Sequence, residues 1–298
     1  MSPGQIIVVL STAPIDRGLS NTLGNIATNL GLALKPHDQF GSVVVGSTHA
    51  QRWHISRELA PTEREAFRKL VAALSLDLAF ISPIFKPKSI RVLAMDMDST
   101  LINIECIDEI ADFAGKKADV AAITEATMRG EIKDFSESLR RRVALLQGVS
   151  ESVLESVYRE RLRPNPGAVE LLTAANKKGL HTLLVSGGFT FFTQKMQHDL
   201  GFTQAQANIL EIQDGLLTGR VLGDIVDASG KAMHVKEACK RLGCKKTAAI
   251  TIGDGANDLL MMEGSGLSIA YRAKPIVKEK ADAAFDRVGL DATLALIA

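Results

Sequence analysis

The first 85 residues place apolar side chains in short continuous runs that alternate with stretches of helical spacing. Residues 5–10 (QIIVVL) form one such run, whereas Leu19, Leu23 and Ile26 recur at three- and four-residue intervals. Thr62, with Glu65 three residues later, has the pattern of a capping box at a helix start. The predicted elements are strand 5–10, helix 16–33, strands 42–46 and 52–57, helix 62–75 and strand 78–82. This βαββαβ order predicts a two-layer α+β domain over residues 1–85.

A different pattern begins after Lys86–Lys88 (KPK), which has the composition of a short linker. Ile90–Met95 is rich in apolar residues, as a buried strand of a parallel sheet should be, and residues 106–162 are helical in periodicity. The elements predicted next are helix 167–178, strand 181–185, helix 189–200, a hairpin in 212–221 around Asp214-Gly215, helix 231–242, strand 247–252, a helix near 257–263 and strand 267–271. Residues 86–298 should therefore form a doubly wound, Rossmann-like α/β core, with a helical cap (about 102–165) inserted after its first strand.

Composition narrows the class of protein and its partners. The chain has 298 residues with a 46% hydrophobic fraction, enough for the cores of two domains. Its 35 Lys and Arg residues nearly balance 34 acids, so nothing favours nucleic acid or an acidic membrane surface as a partner. The three cysteines form no C-x-x-C pair, and no apolar stretch is long enough to span a bilayer. These features predict a protein of the reducing cytoplasm.

Polar residues follow the predicted strands where ligands bind in open parallel sheets, at the carboxyl ends. The first of these clusters contains Asp96 and Asp98, two residues apart after a buried strand. Such a pair favours a cation or a shared proton, and one carboxylate can attack phosphorus while the other transfers protons. A loop with two solvated acids, or a helix cap, is the alternative for this cluster.

Three further clusters add to the first. In Gly253–Asp258 (GDGAND), glycines permit a tight turn and two acids offer the hard oxygen ligands that Mg²⁺ prefers, although a plain Asp-Gly turn is also compatible. Ser186-Gly187-Gly188 opens a helix whose free N–H groups suit a phosphate, or else forms an ordinary turn of small residues. Lys231 begins a later helix and either neutralises phosphoryl charge or is simply solvated.

The four motifs, in this order, resemble those of the haloacid dehalogenase superfamily of phosphotransferases, over about residues 90–298. The resemblance implies that Asp96 is the nucleophile, forming an aspartyl-phosphate, and that Asp98 is the general acid and base. It further implies a Mg²⁺ cofactor bound by Asp96, Asp254 and the backbone carbonyl of Asp98, with Asp258 in support. The phosphoryl group would be held by Ser186, Gly187 and Lys231, with Asn257 also at the substrate.

The likeness is closest to the branch of this superfamily that hydrolyses O-phosphoserine at the end of serine biosynthesis. The stretches that carry it are DMDSTLINIECIDEIADFAG, FSESLRRRVALLQG, SGGF, GDGAND and AKP. In that branch Glu105 would contact the substrate amine and Arg142 its carboxylate, while Met128 and Phe135 would line the pocket. Alternatives are another small phosphomonoester substrate, phosphoryl transfer to a small alcohol, and an amino-acid sensor whose phosphatase core has lost activity.

Helical spacing gives Arg142 support that does not depend on the resemblance. Phe135, Leu139, Arg142 and Leu146 lie on one stripe of a helix at about 100° per residue. A charge among apolar residues needs an anionic partner. Besides a substrate carboxylate, a protein acid such as Glu137 or Asp134 could serve.

The first domain resembles an ACT-type regulatory domain in the order of its elements. Asp16-Arg17-Gly18-Leu19, between a strand and a helix, is similar to the turn where such domains bind an amino-acid effector. Packing against the catalytic domain, or formation of a homodimer, is the other expectation for residues 1–85.

Overall fold

A computed structural model of the chain describes residues 5–36, 43–55, 57–129 and 131–297, and for Pro36, Val43 and Met128 the backbone alone. Its strands are β1 (Ile6–Ser11), β2 (Lys35–Pro36), β3 (Val43–Val45), β4 (Thr48–His54), β5 (Asp77–Ile81), β6 (Val92–Met95), β7 (His181–Phe189), β8 (Gln204–Gln213), β9 (Leu216–Leu222), β10 (Ala249–Gly253), β11 (Leu267–Tyr271) and β12 (Ala283–Phe285). Its α-helices are α1 (Arg17–Asn29), α2 (Pro61–Ala73), α3 (Cys106–Phe113), α4 (Lys117–Met128), α5 (Phe135–Ala144), α6 (Ser152–Ser156), α7 (Ala168–Lys177), α8 (Thr190–Leu200), α9 (Ala228–Arg241), α10 (Leu259–Met262), α11 (Pro275–Lys280) and α12 (Thr293–Leu296).

Strand β6 lies at the centre of the catalytic half, between β10 and β7, and both of these neighbours run parallel to it. The parallel part of the sheet has the order β12-β11-β10-β6-β7-β8, and β9 closes it as an antiparallel edge. Leu93 and Met95 pack into one apolar cluster, whereas Val92 and Ala94 pack into another on the opposite face. The strand is thus buried on both faces, and the doubly wound core is confirmed.

The N-terminal strands extend the same sheet. Strand β5 pairs antiparallel with β12, with Ala79 opposite Ala283, so that the order continues as β2-β4-β1-β5-β12. Next to this junction, Oδ2 of Asp77 accepts hydrogen bonds from the backbone N–H groups of residues 286–288 at 2.8–3.0 Å. The two parts of the chain are therefore joined through backbone and side-chain hydrogen bonds. The sequence pattern did not predict β12.

The predicted elements of residues 1–85 are present, with two differences. A two-residue strand, β2, precedes β3, and residues 42 and 56 of the predicted strands lie outside the described residues. Helix α2 begins at Pro61, so the prediction that Thr62 caps it was wrong: the backbone N–H of Ala60 donates to Glu63 at 2.9 Å. Proline suits this position because a first-turn N–H has no partner within the helix.

The segment between β6 and α7 forms the predicted helical cap. Ile102 bridges Pro164 at its base, and helices α3 to α6 lie between them. The β8–β9 hairpin turns at Asp214 and Gly215, both with positive φ, as the Asp-Gly pair predicted. The hairpin also supports the cap, since the Gly148 N–H donates to the carbonyl of Leu217 at 2.8 Å.

No helix among the described residues is both long enough and apolar enough to cross a membrane.

Candidate active site

The carboxyl ends of β6, β7 and β10 open into one cavity of about 510 Å³. Asp96 follows β6, Ser186 lies within β7 and Asp254 follows β10, so parallel pairing of these strands places the three motifs side by side. The cavity is lined by these predicted residues: Asp96, Asp98, Glu105, Phe135, Arg142, Ser186, Gly187, Asp254 and Asn257. The side chain of Met128 lies outside the described residues.

Lys231 lies beneath the cavity and is fully buried. Its Nζ atom is 2.8 Å from Oδ2 of Asp96 and 2.8 Å from Oδ1 of Asp258. Burial alone would lower the pKa of Lys231, but the two carboxylates outweigh it, and the pKa lies above its usual range. The lysine is therefore a fixed cation, held within the site rather than solvated.

Asp258 and Thr100 hold the loop that carries Asp254. Oδ2 of Asp258 accepts hydrogen bonds from the backbone N–H groups of Asp254 at 3.1 Å and Gly255 at 3.0 Å. The hydroxyl of Thr100 donates to Oδ1 of Asp254 at 2.9 Å. Because both oxygens of Asp258 are engaged, this residue orients its neighbours, while Asp254 keeps one oxygen for a ligand.

The acidic cluster fits a bound cation. One carboxylate oxygen from each of Asp96, Asp254 and Asp258 lies within 4.8 Å of the others. Burial raises the pKa of Asp96 well above its usual range, against the opposing charge of Lys231. Burial and the charge of Asp258 raise the pKa of Asp254 to about 6. The one positive charge of Lys231 thus does not balance the negative charge of the carboxylates, and a further cation would stabilise their ionised forms.

Asp98 follows Asp96 by two residues and lines the same cavity, outside this cluster. Burial and the charge of Glu105 raise the pKa of Asp98 to about 8, although Cys106 opposes the rise. Its Oδ1 atom is buried and makes no hydrogen bond of good geometry within the described residues. A carboxyl that holds its proton near neutral pH can donate that proton to a leaving oxygen.

The Ser186-Gly187-Gly188 segment approaches both sides of the cavity closely. The Gly188 N–H donates to Oγ of Ser186 at 2.8 Å. A Cβ atom on Gly188 would lie 2.8 Å from Oδ2 of Asp98, and one on Gly187 would lie 3.0 Å from the ring of Phe135. A side chain at 188 would displace the Asp98 carboxylate, and one at 187 would crowd the Phe135 ring, so both glycines have a steric role that an ordinary turn does not require.

Arg142 reaches the cavity from α5 of the cap. Its half-buried guanidinium makes one weak hydrogen bond, from Nε to the carbonyl of Ser138 at 3.4 Å. The protein acids considered as its partners act elsewhere, because Glu137 pairs with Arg141 and Asp134 caps α5. Burial lowers the pKa of Arg142, and the charges of Asp108 and Glu105 in the same cavity oppose that shift without an ion-pair contact among the described residues, so the guanidinium can accept an external anion.

Glu105 stands exposed at the rim of the cavity, and Oε1 accepts a hydrogen bond from the hydroxyl of Ser99 at 2.7 Å. Glu105 and Arg142 both line the same cavity as Asp96 and Asp98. One cavity therefore presents groups of opposite charge besides the acidic cluster.

Several polar residues of the cavity and its wall were not predicted from the sequence. They are Thr100, Asp108, Thr124, Thr127, Ser138 and Lys274. Thr100 stands within the quoted DMDST stretch and Lys274 within AKP, so both had a local signal. The Thr127 and Ser138 hydroxyls lie 2.7 Å apart on different helices, a pairing that no local pattern reveals.

Comparisons with known proteins agree with this geometry. A family model described as haloacid dehalogenase-like hydrolase matches residues 93–263. A phosphoserine phosphatase from Polaromonas sp. (strain JS666) is 56% identical over 220 residues, covering 72% of this chain and 93% of the relative. A haloacid dehalogenase family hydrolase from Salmonella enterica serovar Typhi has a TM-score of 0.86 at 30% identity, covering 98% of each chain. A probable phosphoserine phosphatase from Vibrio cholerae has a TM-score of 0.81 at 34% identity, covering 98% of this chain and 86% of that one.

Proposed function

The chain belongs to the haloacid dehalogenase-like hydrolase family, and we propose that it is a Mg²⁺-dependent phosphatase that hydrolyses O-phosphoserine to serine and phosphate. One observation carries the proposal. A nucleophile loop with a buried lysine, an acidic cluster and an unpaired arginine line or underlie one cavity. The loop, the lysine and the acidic cluster serve any phosphomonoester, and the arginine supplies a site for a carboxylate. The product serine makes this the reaction that ends serine biosynthesis.

In the first step a carboxylate oxygen of Asp96 attacks phosphorus, and the bond from phosphorus to the serine oxygen breaks. Asp98 donates its proton to that leaving oxygen, so serine departs neutral at the hydroxyl. In the second step Asp98 takes a proton from water, whose oxygen attacks the phosphorus of the aspartyl-phosphate. Phosphate leaves, Asp96 is regenerated, and Asp98 is again protonated.

The phosphoryl oxygens are held by groups that are already in place. Lys231 offers its ammonium beneath Asp96, and Ser186 and Gly187 offer a hydroxyl and a backbone N–H from the glycine-rich segment. Asp96, Asp254 and the carbonyl of Asp98 would bind Mg²⁺. The bound ion would supply positive charge that offsets the charge of the phosphoryl group.

Side chains of the cap bind the amino-acid end of the substrate. Arg142 binds the carboxylate, Glu105 binds the amine, and Phe135 packs against the carbon atoms between them. Asn257 contacts the phosphate end from the loop after β10. Met128 keeps its predicted place in the pocket wall as part of the proposal.

The direct test is phosphate release from O-phosphoserine by the purified chain, with and without Mg²⁺. Turnover should stop on chelation and return with Mg²⁺, and trapping should locate the phosphoryl adduct on Asp96. Asp96→Asn should abolish turnover without loss of fold. Full activity in metal-free enzyme, or an adduct on Ser99 or Ser186, would refute this scheme. Adding a small alcohol such as homoserine reveals phosphoryl transfer if a second phosphoester forms.

Effector binding by the N-terminal residues, and a homodimer, stay predictions. The Asp16 carboxylate accepts the Leu19 N–H at 2.8 Å as the cap of α1, so an amino acid at this turn would bind through other groups. Calorimetry should then show two serine sites per chain, of which Arg142→Ala removes one. A single site that Arg142→Ala abolishes would assign residues 1–85 to packing. Sedimentation of the full chain decides the oligomeric state.

A further inference from the structure

The phosphate-contacting segment of β7 leaves the regular sheet. Strands β7 and β8 pair at Val185 with Gln206 and again at Phe189 with Asn208, so three residues of β7 lie opposite one residue of β8. Such a bulge removes the inserted backbone groups from the ladder. Buried backbone groups nevertheless need hydrogen-bond partners, and here the carbonyl of Gly187 must find one outside the ladder.

Asn208 supplies that partner from the neighbouring strand. Its side chain is almost fully buried, and its Nδ2 atom donates to the carbonyl of Gly187 at 2.8 Å. Its Oδ1 atom accepts the backbone N–H of Val226, also at 2.8 Å. One side-chain amide thus joins the bulge to the loop that precedes α9. The two loops are also in direct proximity, because a Cβ atom on Gly187 would lie 3.6 Å from the carbonyl of Val226.

The second of these loops sets the position of Lys231. Asp227, the residue after Val226, caps α9 by accepting the Gly230 N–H at 2.8 Å. The Lys231 N–H then donates to the carbonyl of Asp227 at 2.9 Å, in the first turn of the helix. Any displacement of Val226 is therefore transmitted to the start of α9, and from there to the ammonium of Lys231.

We propose that Asn208 is a positioning residue that fixes the distance between the two phosphate-binding elements, the Gly187 bulge and the Lys231 helix. The role rests on the proposed phosphatase function, and Asn208 itself does not line the cavity. An amide suits the position because it donates and accepts at once. A leucine could do neither, and an ionised carboxylate could only accept.

The test uses the full chain and measures only how the site binds phosphate and hydrolyses a simple phosphate ester. The dissociation constant of inorganic phosphate is measured by calorimetry with Mg²⁺, together with hydrolysis of p-nitrophenyl phosphate, from pH 5.5 to pH 9. In Asn208→Asp, a protonated carboxyl reproduces the donor and acceptor pattern of the amide, whereas the ionised form loses the donor. We expect phosphate affinity close to that of the wild type at pH 5.5, and about 10- to 100-fold weaker at pH 9, the loss typical when a partner that orients a ligating group is removed.

Two variants keep the test decisive. The serine in Asn208→Ser is too short to span both contacts and does not titrate in this pH range, so its phosphate affinity should be weakened at every pH while its serine affinity stays within about threefold. Asn176→Asp makes the same chemical change at an amide that donates to the carbonyl of Gly201 at 2.9 Å, away from the cavity, and should leave phosphate affinity unchanged.

A ratio of Asn208→Asp to wild-type affinity that does not vary with pH would overturn the proposal. If Asn208→Asp does not fold, Asn208→Ser decides the question. The proposal is overturned if Asn208→Ser loses phosphate and serine affinity equally, or if it loses neither. Neither phosphate affinity nor the hydrolysis of p-nitrophenyl phosphate depends on whether O-phosphoserine is the substrate. Failure of the wild type to hydrolyse O-phosphoserine would therefore refute the proposed function and leave the role of Asn208 to be judged separately.

Discussion

The ammonium of Lys231 lies 2.8 Å from Oδ2 of Asp96, and both side chains are buried. The lysine therefore compensates the charge of the Asp96 carboxylate without any bound ligand. It also contacts Asp258 at the same distance, so one cation serves two carboxylates. Removing one member of such a buried group leaves charges without compensation, which costs far more than losing a solvated ion pair.

Lys231→Met should accordingly lower the free energy of unfolding by about 3–5 kcal/mol, measured by urea denaturation in the presence of a chelator. Lys195→Met is the matched control, because Lys195 also lies 2.8 Å from a carboxylate, that of Glu155, but at the surface. The control should lose about 1 kcal/mol or less. Similar losses in the two variants would show that the buried group contributes no more than a surface pair.

Thr100 should govern Mg²⁺ affinity through Asp254. Thr100→Val removes the 2.9 Å hydrogen bond to Oδ1 of Asp254 without changing the volume of the side chain much. We expect the Mg²⁺ concentration for half-maximal activity to rise about 10- to 100-fold, with a parallel loss in calorimetric Mg²⁺ affinity. Thr251→Val, whose hydroxyl pairs with Ser265 at 2.9 Å, is the control and should leave both unchanged. Equal Mg²⁺ requirements in all three proteins would contradict the role of Asp254 as a ligand.

Asp77 should stabilise the junction between the N-terminal strands and the core. Its Oδ2 atom accepts three backbone N–H groups beside the β5–β12 pairing. Asp77→Asn removes the charge from these bonds and should cost about 1–3 kcal/mol in thermal or urea unfolding. Asp214→Asn, in the exposed hairpin turn, should change the free energy of unfolding by about 0.5 kcal/mol or less. If the two variants unfold alike, the junction does not depend on this carboxylate.

The sequence could predict which residues meet at the cavity because they sit in local motifs at strand ends. Asp96, Ser186 and Asp254 follow or end apolar runs, and parallel pairing then requires them to meet. Glycines at 187 and 188 were identified for their loop chemistry, and the structure adds their close contacts with Phe135 and Asp98.

The features that escaped prediction depend on partners distant in sequence. Strand β12 has three residues, too few to show a periodicity, and it is defined by its pairing with β11 and β5. In the sequence Asn208 is a single polar residue within a strand. Its role is not visible there, because its two backbone partners lie about 20 positions away on either side. The start of α2 is different, because two overlapping local patterns compete there: Pro61 with Glu63, which the helix uses, and Thr62 with Glu65, which it does not.

Arg142 should decide whether the enzyme distinguishes O-phosphoserine from simpler esters. Its guanidinium is half-buried and faces the cavity, and it donates a weak hydrogen bond of 3.4 Å to the carbonyl of Ser138. A desolvated carboxylate partner of such a group contributes about 2–5 kcal/mol. At about 1.4 kcal/mol per tenfold change, Arg142→Ala should lower kcat/KM for O-phosphoserine by about 30- to several-thousand-fold.

The comparison substrate is phosphoethanolamine, which keeps the phosphate and the amine and lacks the carboxylate. Its kcat/KM should fall much less in Arg142→Ala, because phosphate handling by Asp96 and Lys231 is untouched. Arg142→Lys should recover only part of the loss, since an ammonium cannot bind a carboxylate in the bidentate manner. Arg141→Ala, which removes an exposed neighbour paired with Glu137, serves as the matched control and should leave both substrates unaffected. Equal losses on both substrates in Arg142→Ala would mean that Arg142 supports the cap rather than the choice of substrate.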